Sequence, residues 1–298
     1  MDPLQISVVI PTRNRAGVLA RTLSRLAPEV QGAPADCYEV IVSDDSTGDE
    51  TASLLEDRFP GIRHVRGPRR GPAANRNNGA AVARGAWLAF IDDDCEPSSE
   101  WLNALRHLVN QGEVDVIEGR MLAPDKSDHV LRHPVENLTG DLFWSGNLAI
   151  RREVFERLGR FDEDFEEACC EDLELSDRIR RSGVRATFCA RATVFHPSHV
   201  VTVKYWWWRA FLAKWHLLYL HKTGKAAPLD SPAWKALLQL VWQRTRELLS
   251  VTRRMRVLYP QRPRTALFNV TTQWLMFPIV IPYLMYWELR FRDARRTR

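Results

Sequence analysis

The sequence predicts an α/β fold: a mostly parallel sheet with helices packed on its faces. Three observations carry this expectation. Short apolar runs alternate with segments whose apolar residues recur at helical spacing. That alternation builds parallel sheets covered on both sides. Three polar clusters, Thr12-Arg13-Asn14, Asp44-Asp45 and Asp92-Asp93-Asp94, each follow an apolar run. Ligands of open α/β sheets bind beyond the carboxyl ends of the strands, so the clusters should meet along one edge.

The elements follow in order. Ile6-Ser7-Val8-Val9-Ile10 reads as a first strand stopped by Pro11, followed by a helix with Val18, Leu19, Leu23 and Leu26 on one face. Tyr38 to Val42 is a second strand, Thr47 to Phe59 a helix, and Ile62 to Val65 a short third strand. The Gly71-Pro72 break opens a helix over Ala73 to Ala83, and Trp87-Leu88-Ala89-Phe90-Ile91 is a buried fourth strand. Ser98 or Ser99 caps a helix through Leu108, with Glu100 in its first turn, and Val114 to Ile117 is a fifth strand.

The run after the fourth strand is the most informative feature. Three adjacent carboxylates repel each other, and a divalent cation relieves that repulsion because hard cations take oxygen ligands. The alternative is a solvated acidic turn. The turn after the first strand carries no glycine, which excludes a G-x-G-x-x-G dinucleotide site, and no Walker A loop is present. Phosphates would then be met by a metal and side chains. Arg76 and Asn77, near a helix start, are candidates for that contact, or else a solvated helix face.

The chain has 298 residues, enough for one large domain or a domain with an appendage. Its five cysteines include no CxxC pair, which favours a reducing compartment. The first residues lack a basic region followed by an apolar stretch, so no secretory signal is expected. The overall charge of +5 hides an asymmetry. Residues 1–200 hold 24 Lys and Arg against 33 Asp and Glu, whereas residues 201–298 hold 18 against 4. Eight of the eleven tryptophans also lie after residue 200. Basic charge with Trp and Tyr suits an anionic membrane surface. Nucleic acid is the competing partner, but no recognised nucleic-acid motif is present, so none is expected.

Six motifs together resemble one family. They are Val9-Ile10-Pro11-Thr12-Arg13-Asn14, Val42-Ser43-Asp44-Asp45-Ser46-Thr47-Gly48-Asp49, Ala74-Asn75-Arg76-Asn77-Asn78-Gly79, Phe90-Ile91-Asp92-Asp93-Asp94, Ser145-Gly146-Asn147 and Glu171-Asp172-Leu173-Glu174-Leu175. In this order, over about residues 6–200, they resemble the family-2 glycosyltransferases of the GT-A fold. The resemblance implies a Rossmann-like, mostly parallel sheet flanked by helices. It also implies a nucleotide-sugar donor, UDP-linked in the commonest case, and transfer with inversion at the anomeric carbon. Pro11, Arg13, Asp45, Arg76, Asn77, Asp92 and Asp93 would line the donor nucleotide site, with Asp45 accepting a hydrogen bond from the base. Asp92 and Asp94 form the Asp-x-Asp motif, with Asp94 the direct ligand of Mg2+ or Mn2+ and Asp92 or Asp93 toward ribose or bound water. Asp172 would be the general base. Two positions depart from the family pattern, both affecting loop geometry: Ser46 where glycine is usual, and Cys169-Cys170 before Glu171 where glycine is common.

The chemistry fits these residue types. The leaving diphosphate gains charge, which a metal stabilises. The acceptor hydroxyl loses a proton, which a carboxylate can take. Asp172 opens a helical pattern with Leu175 and Ile179 on one face, where the helix N-terminus favours the ionised carboxylate. A plain capping acid is the alternative. Glu171 would orient the acceptor or support the loop. Gly146 and Asn147 precede an apolar strand, and by resemblance lie between donor and acceptor. Trp144 stacks on a sugar ring or belongs to the core. His196, at the end of another strand-like run, is a further metal ligand or a structural histidine.

These readings divide the chain into a GT-A catalytic domain over 1–200 and a helical, basic, aromatic-rich tail over 201–298. Helical patterns cover Lys204 to Lys225 and residues 234–249. Residues 266–287 hold no charged residue, but include Pro278, Pro282 and several polar residues between basic flanks. That favours an in-plane or re-entrant membrane helix, with a true span or a soluble helix packed on the catalytic domain as the alternatives. The expected location is cytoplasmic, attached peripherally to the inner face of the membrane, with a single span as the alternative. A glycan or lipid-linked acceptor suits such attachment. Two competing functions are a sugar nucleotidyltransferase, which would show a Gly-rich basic loop after the first strand, and an inactive glycan- or nucleotide-binding scaffold.

Overall fold

The computed structural model describes residues 4–124, 132–200, 202–226 and 263–296, with scattered positions between 228 and 249. The strands are β1 (Ile6–Thr12), β2 (Tyr38–Asp44), β3 (Arg63–Arg66), β4 (Trp87–Ile91), β5 (Glu96–Pro97), β6 (Val116–Leu122), β7 (Arg132–His133), β8 (Asn147–Arg151), β9 (Ala186–Phe195) and β10 (His199–Val200). The helices are α1 (Ala16–Arg25), α2 (Pro28–Gln31), α3 (Glu50–Arg58), α4 (Pro72–Ala81), α5 (Trp101–Gln111), α6 (Arg152–Arg157), α7 (Glu171–Ser182), α8 (Val203–Lys222) and a C-terminal helix, Pro263–Arg296. The chain divides into two compact units: Met1–Asp125 with Pro134–Ser198, and Lys126–His133 with His199–Arg298.

The first unit is a mixed eight-stranded sheet in the order β3-β2-β1-β4-β8-β6-β9-β5. Its first four strands run parallel, as the alternating pattern requires. β8 then enters antiparallel between β4 and β6, and β5 pairs antiparallel with β9. The fifth strand therefore does not extend the parallel block, although β6 itself lies parallel to β9. The long excursion between β6 and β8 lets the chain return in the opposite sense, which no local pattern signals.

Side-chain alternation sorts the core into two layers. Ile6, Val8 and Ile10 of β1 and Trp87, Ala89 and Ile91 of β4 pack with α1 and α5 residues on one face. Val9, Leu88 and Phe90 face the other side, against α4, α6 and α7. There Phe90, Phe155 and Phe161 form a triad with ring centroids 5.1–5.5 Å apart. Helix α4 lies close on β1 because Gly79 has no side chain: a Cβ there would come 2.6 Å from Val9 Cγ1. β1 continues through Pro11, which pairs with Ser43. A proline lacks the donor but keeps its carbonyl, so the strand ends two residues later than Pro11 suggests.

In the second unit, Thr202 caps α8 by accepting from the Tyr205 amide at 3.1 Å. Ala213, Leu217 and Leu284 form a small core between α8 and the C-terminal helix, with Tyr283, Trp287 and Phe291 packed around it. His221 and Glu288 are buried and meet at 2.9 Å across the two helices. The described positions within 234–242, with Thr245, Arg246 and Leu249, are helical; the rest of the expected 234–249 helix lies outside the described residues. Residues 266–287 fall inside the C-terminal helix, which contains Pro278 and Pro282. Among the described residues no helix is long and apolar enough to cross a membrane.

Candidate functional site

The carboxyl ends of β1, β2 and β4 bring the three polar clusters to one edge of the sheet. Asn75 on α4 ties two of the ends together: its Nδ2 donates to Thr12 O at 3.2 Å and Ser43 O at 2.9 Å. Beyond β2, Asp45 is buried and Oδ1 accepts from the Arg69 amide at 2.8 Å. Burial raises its carboxyl above the ordinary range, against that hydrogen bond and the charge of Arg13. Pro11 is buried within β1, and Arg13 is exposed just past its end.

The three aspartates after β4 take different directions. Asp93 turns inward and is fully buried. It accepts from Thr12 Oγ1 at 2.6 Å and from Arg15, and burial lifts its carboxyl to about 6 against the pull of Arg15. Asp93 therefore fixes the loop from inside. Of the two candidates for a ribose or water contact, Asp92 is the one that stays partly open to solvent. Burial works to raise it, yet Arg76 and His196 outweigh that and hold it below its usual range. Asp94 Oδ1 is buried and has no hydrogen-bond partner.

A buried arginine organises the centre. Arg76 donates through Nη2 to Asp92 Oδ1 at 2.7 Å and through Nη1 to Glu171 Oε1 at 3.0 Å. Its guanidinium lies 5.6 Å from the centroid of the Phe161 ring. Asp172 follows at the second position of α7, partly open to solvent. Burial among protein atoms and the charge of Glu171 push its carboxyl up to about 7, against the attraction of Arg76. Cys170 precedes the helix in a left-handed conformation, φ 72°.

The donor set suits a hard divalent cation. Ligand atoms of Asp92, Asp94, Cys95 and His196 lie within 4.8 Å of one another. Two carboxylates and an imidazole fit Mn2+ or Mg2+. His196 Nδ1 lies 2.7 Å from Pro197 O, so a proton there leaves the Nε2 lone pair facing Asp94 Oδ1 at 3.6 Å. The orphaned Asp94 oxygen is the atom such an ion would satisfy. Gly146 keeps the space beside Asp92 open, since a Cβ there would come 3.0 Å from Asp92 Oδ2.

Two of the expected site residues make their hydrogen bonds inside the protein. Asn77 donates to Phe161 O at 2.9 Å and Glu163 Oε1 at 3.0 Å, and accepts from the Phe161 amide. Asn147 accepts from Trp101 Nε1 and donates to Arg120 O and Ala192 O, each at 2.9 Å. Their amides hold neighbouring segments in place. Trp144 packs partly buried against the core. The sequence reading missed Arg15, Cys95 and Glu118. Arg15 clamps Asp93 and Asp94, and its only signal was a second cation one residue past the motif. Glu118 accepts from the amides of Asp141, Leu142 and Phe143 at 2.5–2.9 Å and pins that loop; a lone acid in an apolar strand was its signal.

Residues 7–163 match the family model described as glycosyl transferase family 2. The chain belongs to that family. A validoxylamine A glucosyltransferase of Streptomyces hygroscopicus subsp. jinggangensis is 30% identical over 225 residues, covering 61% of this chain and 53% of that protein. A GalNAc(5)-diNAcBac-PP-undecaprenol beta-1,3-glucosyltransferase of Campylobacter jejuni is 31% identical over 117 residues, 38% of this chain and 37% of that one. The chain thus spans about half or less of the length of these relatives. Among solved structures, the mannosyltransferase PcManGT of Pyrobaculum calidifontis, in complex with GDP-Man and Mn2+, superposes with a TM-score of 0.61 at 20% identity. That likeness covers 96% of this chain and 88% of the other. The fold is GT-A, as the six motifs imply.

Proposed function

We propose that the protein is a metal-dependent, inverting glycosyltransferase that moves a sugar from a nucleotide-sugar donor to an acceptor hydroxyl. The observation that carries this reading is the convergence on one sheet edge of an orphaned Asp94 oxygen, Asp92 and His196 with the Arg76–Glu171 pair that leads to Asp172. Family membership and the Mn2+-containing neighbour support it.

Asp94, Asp92 and His196 would hold Mn2+ or Mg2+, which supplies Lewis-acid stabilisation of the charge gathering on the leaving diphosphate. The protein's own residues do the rest. Asp45, with Pro11 and Arg13 beside it, receives the nucleobase. Arg76 fixes Asp92 and Glu171 in one geometry, so donor and acceptor meet in line. Gly146 leaves room for the sugar next to Asp92, and Trp144 borders the acceptor side with Glu171. Asp172 accepts the proton of the acceptor hydroxyl as its oxygen bonds to the anomeric carbon and the donor bond breaks. A carboxylate lifted to about 7 is a stronger base than an ordinary aspartate.

The catalytic domain is assigned to residues 1–200 and a membrane-associating tail to 201–298. Exposed Trp208, Trp234, Trp242, Trp274, Leu275 and Ile279 in the tail, with its excess of basic residues, support peripheral attachment to an anionic inner membrane face. The PP-undecaprenol in the Campylobacter relative's name supports a lipid-linked acceptor.

The test is a thermal-shift and transfer screen of nucleotide sugars with and without Mn2+. Metal-dependent stabilisation by one donor, absent in Asp94→Ala, is expected. No response from folded protein to any nucleotide sugar would favour an inactive scaffold.

A further inference from the structure

Cys169 and Cys170 stand immediately before Glu171 and Asp172, and the mechanism above does not use them. Their Sγ atoms are 3.4 Å apart. None of the five cysteines is in a disulfide; Cys37, Cys95 and Cys170 are buried, and Cys169 and Cys189 are partly exposed. Adjacent side chains ordinarily diverge along a chain. Here the turn is fixed on both sides so that the two sulfurs face each other. Cys169 donates its amide to Glu167 O at 2.7 Å, Cys170 adopts φ 72°, and Cys170 O accepts from the Glu174 amide at 3.0 Å. A left-handed conformation is uncommon for a residue with a Cβ, so this arrangement is held by its surroundings.

We propose that Cys169 and Cys170 form a vicinal dithiol that closes reversibly to a disulfide by exchange with a low-molecular-weight disulfide. The more exposed Cys169 thiolate attacks one sulfur of the oxidant and releases one thiolate. Cys170 then attacks the Cys169 sulfur of the mixed disulfide and releases the second. One S–S bond forms in the protein, one breaks in the oxidant, and the two thiol protons pass to the released thiolates. Neighbouring Cα atoms are about 3.8 Å apart, below the span of roughly 4.4–6.8 Å that unstrained disulfides prefer. The closed form is therefore easily reduced, as regulatory disulfides are.

Closure has a consequence that rests on the proposed function. The sulfurs must approach to about 2 Å, which moves the turn that starts α7. Glu171 and Asp172 are the first two residues of that helix. Displacing the base and the partner of Arg76 by even about 1 Å lowers transfer, because the chemistry depends on position.

The experiment treats the whole protein with oxidised glutathione and reads intact and peptide masses. The expected result is loss of two hydrogens in the peptide holding residues 169–170, reversed by dithiothreitol, with transfer falling at least tenfold and recovering on reduction. Cys170→Ser should stop at a stable glutathione adduct on Cys169. Wild type should also bind phenylarsine oxide one to one with release of water, and Cys169→Ser should not. The arsenical arm uses the wild-type fold and so stands even where a variant folds poorly. A lasting glutathione adduct in wild type, a bridge to Cys189, or no arsenical binding would overturn the dithiol. A closed disulfide with unchanged transfer would overturn the link to α7. The mass readouts do not depend on transfer, so failure of the proposed function is seen separately.

Discussion

The two units place charge differently. Around the proposed site the sheet unit pairs its charges: Arg76 lies between Asp92 and Glu171, and Arg15 holds the buried Asp93 together with Asp94. The helical unit carries a large basic excess and exposes tryptophans and leucines beside it. Buried pairing makes a preorganised site, because a charge out of water must be held by a fixed partner. Exposed basic and aromatic residues make an adaptable surface. The proposed chemistry lies with the first arrangement and the proposed membrane attachment with the second, and each can be broken separately.

The largest effect is expected at the orphaned oxygen. Asp94→Ala should abolish Mn2+-dependent donor binding and lower transfer by at least about a hundredfold, since a Lewis acid supplies several kcal/mol. Calorimetric titration of donor with and without Mn2+ checks it. Next comes the pairing itself. Arg76→Ala leaves the buried Glu171 and the partly buried Asp92 uncompensated, which should cost about 3 kcal/mol in a denaturant titration. The double change Asp92→Asn with Glu171→Gln in that background should recover part of the loss.

The surface side gives a smaller effect. Replacing Trp274 and Leu275, 40% and 69% exposed, with serine should weaken binding to anionic vesicles about tenfold or more, since each apolar side chain buried in lipid is worth about 1.5 kcal/mol or more. Transfer to a soluble acceptor should not change. Sedimentation with vesicles reads this directly, and equal binding by the variant would place the contact elsewhere.

The smallest effect concerns Asp172 and pH. Its carboxyl is raised to about 7, so its base form is lost as pH falls, and transfer should decline below about pH 7. A bound divalent cation would move that limb downward. The same shift has a sign for stability. The folded state binds the proton more tightly than the unfolded one, so this contribution is present below the ordinary aspartate range and is lost as pH rises to about 7. Asp172→Asn, which mimics the neutral form, should therefore raise the melting temperature at pH 8 and change little at pH 4. A melting temperature unchanged at pH 8 would contradict the raised carboxyl.

Much of the sheet unit was legible in the sequence. The parallel strands β1 to β4 followed from local patterns, and Trp87 to Ile91 stands where it was expected. The edge where Asp45 and Asp92 to Asp94 meet followed from topology alone. What was not legible was nonlocal. The insertion of β8 between β4 and β6 depends on a partner some sixty residues away in sequence. The inward turn of Asp93 depends on Thr12 and Arg15, not on its own neighbours. Asn77 and Asn147 look like ligand residues in a motif, yet the structure uses their amides as internal fasteners. His196 was ambiguous because a strand-end histidine has no local signature; its 3.6 Å approach to Asp94 depends on the fold and not on its neighbours in sequence. In the tail, composition gave an excess of basic and aromatic residues, but which of them would be exposed depends on how the helices pack.

The most direct test of the account is a paired measurement on Asp172→Asn: donor affinity with Mn2+ and transfer to acceptor. The account expects donor affinity like that of wild type with transfer reduced by about 10²–10⁴, because the base acts only on the acceptor proton. Transfer at the wild-type rate would contradict it, and would move the base to another carboxylate.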